Sequence, residues 1–253
     1  MIFHYFVLAF INLCLFMKRI ILLLFIMLGV AELYAQEGTQ TVTGTKIKQW
    51  TGEFTSFDID APITLKLIKC DEGQGPHIIY DTKGVYTSKF TAEVNKDKQL
   101  KIRERVDPKR ESITEVEVYY HDLSDITIAK ADVSVTDILD TELLDITLSN
   151  DTHFMAEIDV MDLIINITGK SRVTITGSAL YQTADVSTAE YDASNLRTMS
   201  TVVSSSHSAS VKVDAYQRLE AKTSTSGYIK YRSLPEILRI YTPMFGGEVS
   251  RLQ

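Results

Sequence analysis

Beyond its apolar leader, the 253-residue chain offers few groups that do chemistry: four histidines, one cysteine and a long series of acids. His77, His121, His153 and His207 are scattered singly, with no i, i+4 pair for a metal, and a single thiol excludes a thiolate cage. His207 lies in "SSSHSAS", which raises the question of a serine nucleophile with a histidine base. No G-x-S-x-G elbow accompanies it, and a solvent-facing turn is the simpler reading. Among the acids, Asp125 in "LSDITIAKA" and Asp145 in "LLDITLSND" occupy matching places in two similar phrases. Stacked as neighbouring strands they would lie about 4.8 Å apart, where like charges repel unless a cation sits between them. A glycosidase needs two carboxylates roughly 5 to 9.5 Å apart, and a lyase of the β-helix kind adds a cationic base to calcium-binding acids. The third phrase, "LIINITGKS", offers Ile164 or Asn166 there, so the acid ladder stops and surface acids are the plain reading. No catalytic, cofactor-binding or metal-binding residue is assigned, and no cofactor is expected. Tyr181, Tyr191, Tyr228 and Tyr231 are expected to be exposed in the more polar part of the chain, as a candidate region for stacking on sugars or anchoring an interface.

The elements that would position these groups are strands. "FTSFDIDAPITLKLIKC" alternates at Phe57, Ile59, Ile63, Leu65 and Leu67 with one break at Pro62, and "HIIYD", "KQLKIRE" and "ITEVEVYY" continue the pattern. Past His121 a turn-like triplet recurs: Ala129-Lys130-Ala131, Ser149-Asn150-Asp151, Thr168-Gly169-Lys170, Ser187-Thr188-Ala189, Ser206-His207-Ser208 and Thr225-Ser226-Gly227, at intervals of 20, 19, 19, 19 and 19. Apolar pairs precede the early turns (Ile126/Ile128, Ile146/Leu148, Ile165/Ile167, Ala184/Val186), and Val133/Val135, Val173/Ile175 and Val211/Val213 follow some of them. A unit this short cannot bury both faces of its strands, whereas stacked units can. The expected fold is therefore all-β: a right-handed β-helix-like solenoid of 19–20-residue rungs preceded by a β-strand-rich N-terminal part. Ile126, Ile146 and Ile165 form an internal ladder in this reading. Lys222 and Ser224 occupy places where earlier rungs carry isoleucine and leucine, which predicts looser packing in the last rungs. The alternative is a sandwich of short hairpins.

Residues 1–35 read as a signal peptide, with Met17 the natural start. Lys18 and Arg19 precede an apolar run from Ile20 to Val30, and Ala35 stands at the cleavage point before Gln36. The run is short for a membrane span, and the two charges disfavour one span through the whole leader. Residues 36–121 form the N-terminal β-strand part; residues 122–253 form the solenoid repeats and a C-terminal closing hairpin at Gly246-Gly247, the two making one continuous domain. After cleavage Cys70 has no internal partner. A formal charge of −7 argues against nucleic acid and against anionic membrane surfaces. The sequons at Asn150 and Asn166 carry no weight in a bacterial exported protein.

Several stretches in order resemble the bacterial family described as "putative auto-transporter adhesin, head GIN domain", common in secreted proteins of Bacteroidetes-type bacteria. "FTSFDIDAPITLKLIKC" is similar to its opening strand pair, "KQLKIRE" to its short Leu-x-Ile strand and "EVEVYYHDLSDITIAKADVSV" to its entry into the first repeat. "LEAKTSTSGYIKYRSLPEILRI" is similar to its closing motif. The resemblance spans about residues 50 to 253 and implies an all-β, helix-like fold in an extracytoplasmic location. It carries no catalytic residues. At the turns only Gly169 and Gly227 match the family's frequent Ser-Gly pairs, and Thr188 and His207 accept a left-handed backbone less readily than Asn150. The functional expectation is a non-enzymatic exported protein in the periplasm or on the surface of a Gram-negative bacterium. Its partner would be a surface polysaccharide or an envelope protein. The alternatives are a carbohydrate-active enzyme using acids on the solenoid flank and an envelope protein–protein interaction module.

Overall fold

The computed structural model describes residues 40–43, 46–83, 89–105, 112–243 and 245–252, so the expected signal segment lies outside the described residues. Each corner of the chain is made where the sequence repeats its turn triplet. Lys130, Asn150, Asp151, Gly169, Lys170, Thr188, His207, Ser208, Thr225 and Ser226 all have positive φ, between 49° and 68°. That conformation disfavours side chains with a Cβ, yet every triplet adopts it, Thr188 and His207 included. Ladder hydrogen bonds hold the corners: Asp151 N–H donates to the Gly169 carbonyl at 2.7 Å and Lys170 N–H to that of Thr188 at 2.7 Å.

The number of left-handed residues sets the rung length. Asp145 lies opposite Asp125 before the corner and His153 opposite Asp132 after it, so the offset grows from 20 to 21 where two left-handed residues follow a rung with one. Ile167 lies opposite Val186 and Arg172 opposite Glu190, so the offset shrinks from 19 to 18 where the single Thr188 replaces Gly169-Lys170. The interior register is then restored along the strand, as where a shift between Thr174 and Thr176 returns the offset from 18 to 19.

The strands between corners stack in parallel. On one face β7 (Gln99–Glu104), β3 (Ser56–Asp60), β9 (Asp125–Ala129) and β11 (Leu139–Ser149) follow in order, then the C-terminal halves of β12 (His153–Ile167), β13 (Arg172–Ser187), β14 (Glu190–Ser206) and β15 (Ser210–Thr223), and finally β17 (Ile237–Tyr241). On the adjoining face the order is β8 (Thr114–Tyr120), β4 (Ile63–Lys69) and β10 (Asp132–Val135), then the N-terminal halves of β12 to β15, then β16 (Tyr228–Tyr231) and β18 (Glu248–Arg251). The result is a β-solenoid of about 7 turns, with no helix among the described residues.

Residues 40–253 form one compact unit. Strands before His121 are themselves rungs, so the boundary expected at 121/122 does not separate two architectures. The β3–β4 rung is inserted between β7–β8 and β9–β10, out of chain order. The column is closed at this end by antiparallel strands: β6 (Phe90–Val94) on β7, and β5 (His77–Asp81) on β8, followed by β2 (Lys46–Trp50) and β1 (Gln40–Thr43). At the other end the expected closing hairpin is absent. β17 continues the ladder from β15 and β18 that from β16, both in parallel, so the Gly246-Gly247 segment connects two sides of one more rung.

The interior is a stack of like residues. Phe57, Ile126, Ile146, Ile165, Ala184, Val203 and Ala221 form one row and Ile59, Ile128, Leu148, Ile167, Val186, Ser205 and Thr223 the next, all buried. The expectation for Lys222 and Ser224 is corrected here. Lys222 lies opposite Ser204 on the outer face and Ser224 is at the corner, while Ala221 and Thr223 take the interior places. A one-residue slip exchanges the two faces of a strand, and register shifts between Ala193 and Arg197 and between Thr198 and Ser200 change the phase of β15 on β14. Tyr191 fills the narrowing interior, and Gln182 Nε2 donates to its hydroxyl at 2.6 Å. Thr201 donates to Gln182 Oε1 at 3.2 Å, and Thr198 to the Asp214 carbonyl at 2.9 Å. These polar groups are buried with partners, as burial requires.

Two predictions follow from the packing. Gly177 has a φ of 109°, and a Cβ there collides with the Ile158 carbonyl of the rung below, whereas Gly73 (φ 80°) faces open space. Gly177→Ala should lower the free energy of unfolding by about 2 kcal/mol or more and Gly73→Ala by about 1 kcal/mol, measured by chemical denaturation. In the N-terminal cap His77 is buried, stacked on Tyr119 with ring centroids 4.2 Å apart, with Nδ1 donating to the Gly75 carbonyl. Burial, aided by Lys48, holds its pKa below the usual histidine value. The folded state therefore resists the proton that the unfolded chain accepts, and stability is lost as pH falls through the ordinary histidine range. Melting curves of His77→Gln should show a flatter dependence on pH across that range.

Candidate functional site

His207 sits at an exposed corner with Nδ1 3.1 Å from Ser187 Oγ and 3.2 Å from Ser206 Oγ. Of these, Ser206 belongs to "SSSHSAS" and Ser187 is brought in from the preceding rung. Catalysis also needs free N–H donors for an oxyanion. The corner's own amides are engaged: Thr188 N–H donates to the Ser206 carbonyl at 3.3 Å and Ser208 N–H to that of Thr225 at 3.1 Å.

Asp125 and Asp145 are register partners, and Ile164 stands opposite Asp145 on the next rung, so the acid ladder is two residues long. Partial burial, and after it the Asp145 charge, push the Asp125 carboxyl above its usual range. Among the described residues no group of three or more His, Cys, Asp or Glu is placed to hold a metal. Of the tyrosines expected outside, Tyr181 and Tyr228 are exposed and Tyr231 is half-buried, but Tyr191 is interior, because it follows the corner on the inward phase of β14.

The surface feature that sequence reading missed lies at the second bend of the rung. Ladder pairing there skips one residue: Val160 lies opposite Ala179 and Asp162 opposite Tyr181, then Ala179 opposite Thr198 and Tyr181 opposite Ser200. The skipped residues, Met161, Leu180 and Met199, occupy the same place on three consecutive rungs. Met161 is 50% and Leu180 41% exposed, Met199 is half-buried, and Leu143 and Tyr181 beside them are also exposed. They form an apolar ridge on the outside of the column. Beside the ridge is a hollow of about 400 Å³ lined by Asp140, Thr141, Glu142, Asp159, Val160, Met161 and Leu180. Ser178 Oγ donates to Asp159 Oδ1 at 2.5 Å and fixes that carboxylate. Three carboxylates beside two large apolar groups suit a partner with an apolar surface and basic groups near it. Among the residues lining the hollow there is no lysine or arginine. The 19-residue spacing of positions 161, 180 and 199 was visible in the sequence, but outward residues at a bend fall outside a strand's two-residue period.

The acid pair makes a prediction. Its charges weaken the fold wherever Asp125 is ionised, above its raised pKa, and the cost disappears on protonation. Asp125→Asn should therefore raise the unfolding free energy at neutral pH by roughly 0.3 kcal/mol, after solvent screening, with no gain at acid pH, as thermal melts at the two pH values will show.

Three solved bacterial structures share this fold. An adhesin from Bacteroides fragilis is 18% identical with a TM-score of 0.71, covering 83% of this chain and 98% of its own. A lipid binding protein from Parabacteroides distasonis is 13% identical with a TM-score of 0.60, covering 86% and 99%. An adhesin from Parabacteroides merdae is 13% identical with a TM-score of 0.61, covering 87% and 98%. The adhesin and lipid-binding assignments are themselves provisional. No curated protein matches the chain. The model of one family matches residues 53–235, which is most of the solenoid. The chain belongs to the family described as "Putative auto-transporter adhesin, head GIN domain".

Proposed function

We propose that this chain is a non-enzymatic, exported binding protein of the bacterial envelope, and that it meets its partner through the Met161–Leu180–Met199 ridge. The observation that carries this reading is the repetition of a large apolar side chain at one outward bend on three successive rungs. Single exposed apolar residues are ordinary, but a contiguous patch rimmed by polar groups marks a contact surface. Methionine suits such a surface because its flexible side chain adapts to irregular partners. The partner is an envelope protein or a lipid that covers the ridge and sets basic groups against Asp140, Glu142 and Asp159. A lipid-binding relative and adhesin-like relatives support that class of partner. Export is supported by the Lys18-Arg19 leader with its short apolar run. Among the described residues no helix is long and apolar enough to cross a membrane.

A second reading, a carbohydrate-active enzyme, is favoured by one observation: three carboxylates around one hollow. One experiment separates the two. Envelope extracts are passed over immobilised wild-type protein, over Met161→Asp/Leu180→Asp and over Asp159→Asn, and the same proteins are assayed on a panel of surface polysaccharides. The binding reading expects a component retained by the wild type and lost by at least tenfold in the ridge variant, with no turnover. Retention that is equal in wild type and ridge variant overturns it. Turnover abolished by Asp159→Asn establishes the enzyme instead.

A further inference from the structure

The two ends of the column are finished differently. At the N-terminal end antiparallel strands close both faces, β6 over β7 and β5 over β8. At the C-terminal end β17 has its register partners on β15 and β18 on β16, and among the described residues no strand lies beyond them. The interior is left uncovered there: Leu219 and Ala221 are fully buried, but Ile240, stacked on Ala221, is 43% exposed. Ile237 and Tyr241 on the outer side of the same strand are exposed, and Phe245 in the following loop is 84% exposed. Open strand edges with apolar neighbours are templates for further pairing.

The hydrogen-bonding phase of β17 says which pairing fits. Ser224 N–H donates to the Ser205 carbonyl, and amide direction alternates along a strand, so Glu220 and Lys222 aim their backbone groups at β14 while Leu219 and Ala221 aim theirs at β17. Ile237, Arg239 and Tyr241 bond back to these, so the N–H and C=O groups of Leu238 and Ile240 aim away from β15, out of the end of the column. An antiparallel strand that bonds to them must place residues of the same outward-aimed phase opposite these two. The segment Ile237-Leu238-Arg239-Ile240-Tyr241 meets this condition with itself, centred on Arg239. Ile237 then lies opposite Tyr241 of a second copy on the outer face, and Leu238 opposite Ile240 of that copy on the inner face. All four cross-strand pairs are apolar on apolar. The inner pair roofs the row that ends at Leu219 and Ala221. Arg239 meets its own counterpart, but each guanidinium is already held by Glu220 of its own chain at 2.9 Å. We propose that a second copy of this chain caps the C-terminal end of the solenoid by antiparallel pairing of β17 with its counterpart. The contact is isologous, so it closes at two copies.

Sedimentation velocity of the purified protein over a wide concentration range tests this, with two substitutions. Ile240→Pro removes an N–H that aims out of the protomer, so the bonds from β17 to β15 remain while the pairing is blocked. Arg239→Cys, made with Cys70→Ser, places two thiols at a non-hydrogen-bonded antiparallel pair, where Cα atoms are about 4.5 Å apart and a disulfide can form. The expected results are a reversible monomer–dimer equilibrium with no larger species, and a shift of at least tenfold toward monomer in Ile240→Pro. Mild oxidation should link Arg239→Cys into a dimer and leave the exposed control Asp185→Cys unlinked. Should Ile240→Pro also lower the melting temperature, the cysteine result alone decides. A monomer at every concentration overturns the proposal. So does an open-ended polymer, and so does a dimer that ignores Ile240→Pro and fails to cross-link through Arg239→Cys.

Discussion

Everything in this molecule depends on the parallel, in-register stacking of one rung on the next. Parallel strands bond to neighbours that are far away in sequence, and here the intervening chain is a full turn of the column rather than a helix. The register can persist only if each rung returns to the same place. The corners achieve this with one or two left-handed residues each, and the offset between rungs changes by one whenever that number changes. Residues such as Thr188 and His207 accept an unfavourable backbone there because corner amides bond to the corners above and below.

The same constraint organises the side chains. Like positions stack on like, so the inward rows are apolar ladders from Phe57 and Ile59 upward, and the column narrows where isoleucine gives way to alanine, valine and threonine. Tyr191 enters this narrower part as a large group among small ones, with its hydroxyl bonded to Gln182. Stacking also repeats what lies outside. A methionine or leucine at the second bend of one rung is set beside its counterparts, which turns isolated apolar residues into the Met161–Leu180–Met199 ridge. Function in such a fold is a property of rows, not of single residues. His207 illustrates the converse: two rungs bring its imidazole beside Ser187 Oγ, yet the ladder engages the Thr188 and Ser208 amides next to it.

Ladders also explain why the ends matter. Every interior rung is satisfied on both sides, and only the terminal ones face a choice of partner. The N-terminal segment departs from chain order to solve this, inserting β3–β4 between later strands and laying β5 and β6 across the end in the opposite direction. The C-terminal end continues the parallel pattern to its last strand and so presents its edge outward.

The sequence by itself determined the repeat, the corner triplets, the all-strand architecture and most inward residues, because periodicities of two within strands and of 19 between rungs are local patterns. The rows through Ile126, Ile146 and Ile165 could be written down in advance. Only the tertiary structure decided the phase of the last rungs, where Ala221 rather than Lys222 faces inward, since that phase depends on the register shifts between Ala193 and Arg197 and between Thr198 and Ser200. It likewise decided the insertion of β3–β4, the parallel fate of β17 and β18 and the burial of Tyr191, which are choices among pairings that local pattern leaves equivalent. The ridge belongs to both: its 19-residue spacing was written in the chain, but its exposure follows from a bend where the ladder skips a residue, and only the folded column shows where that bend falls.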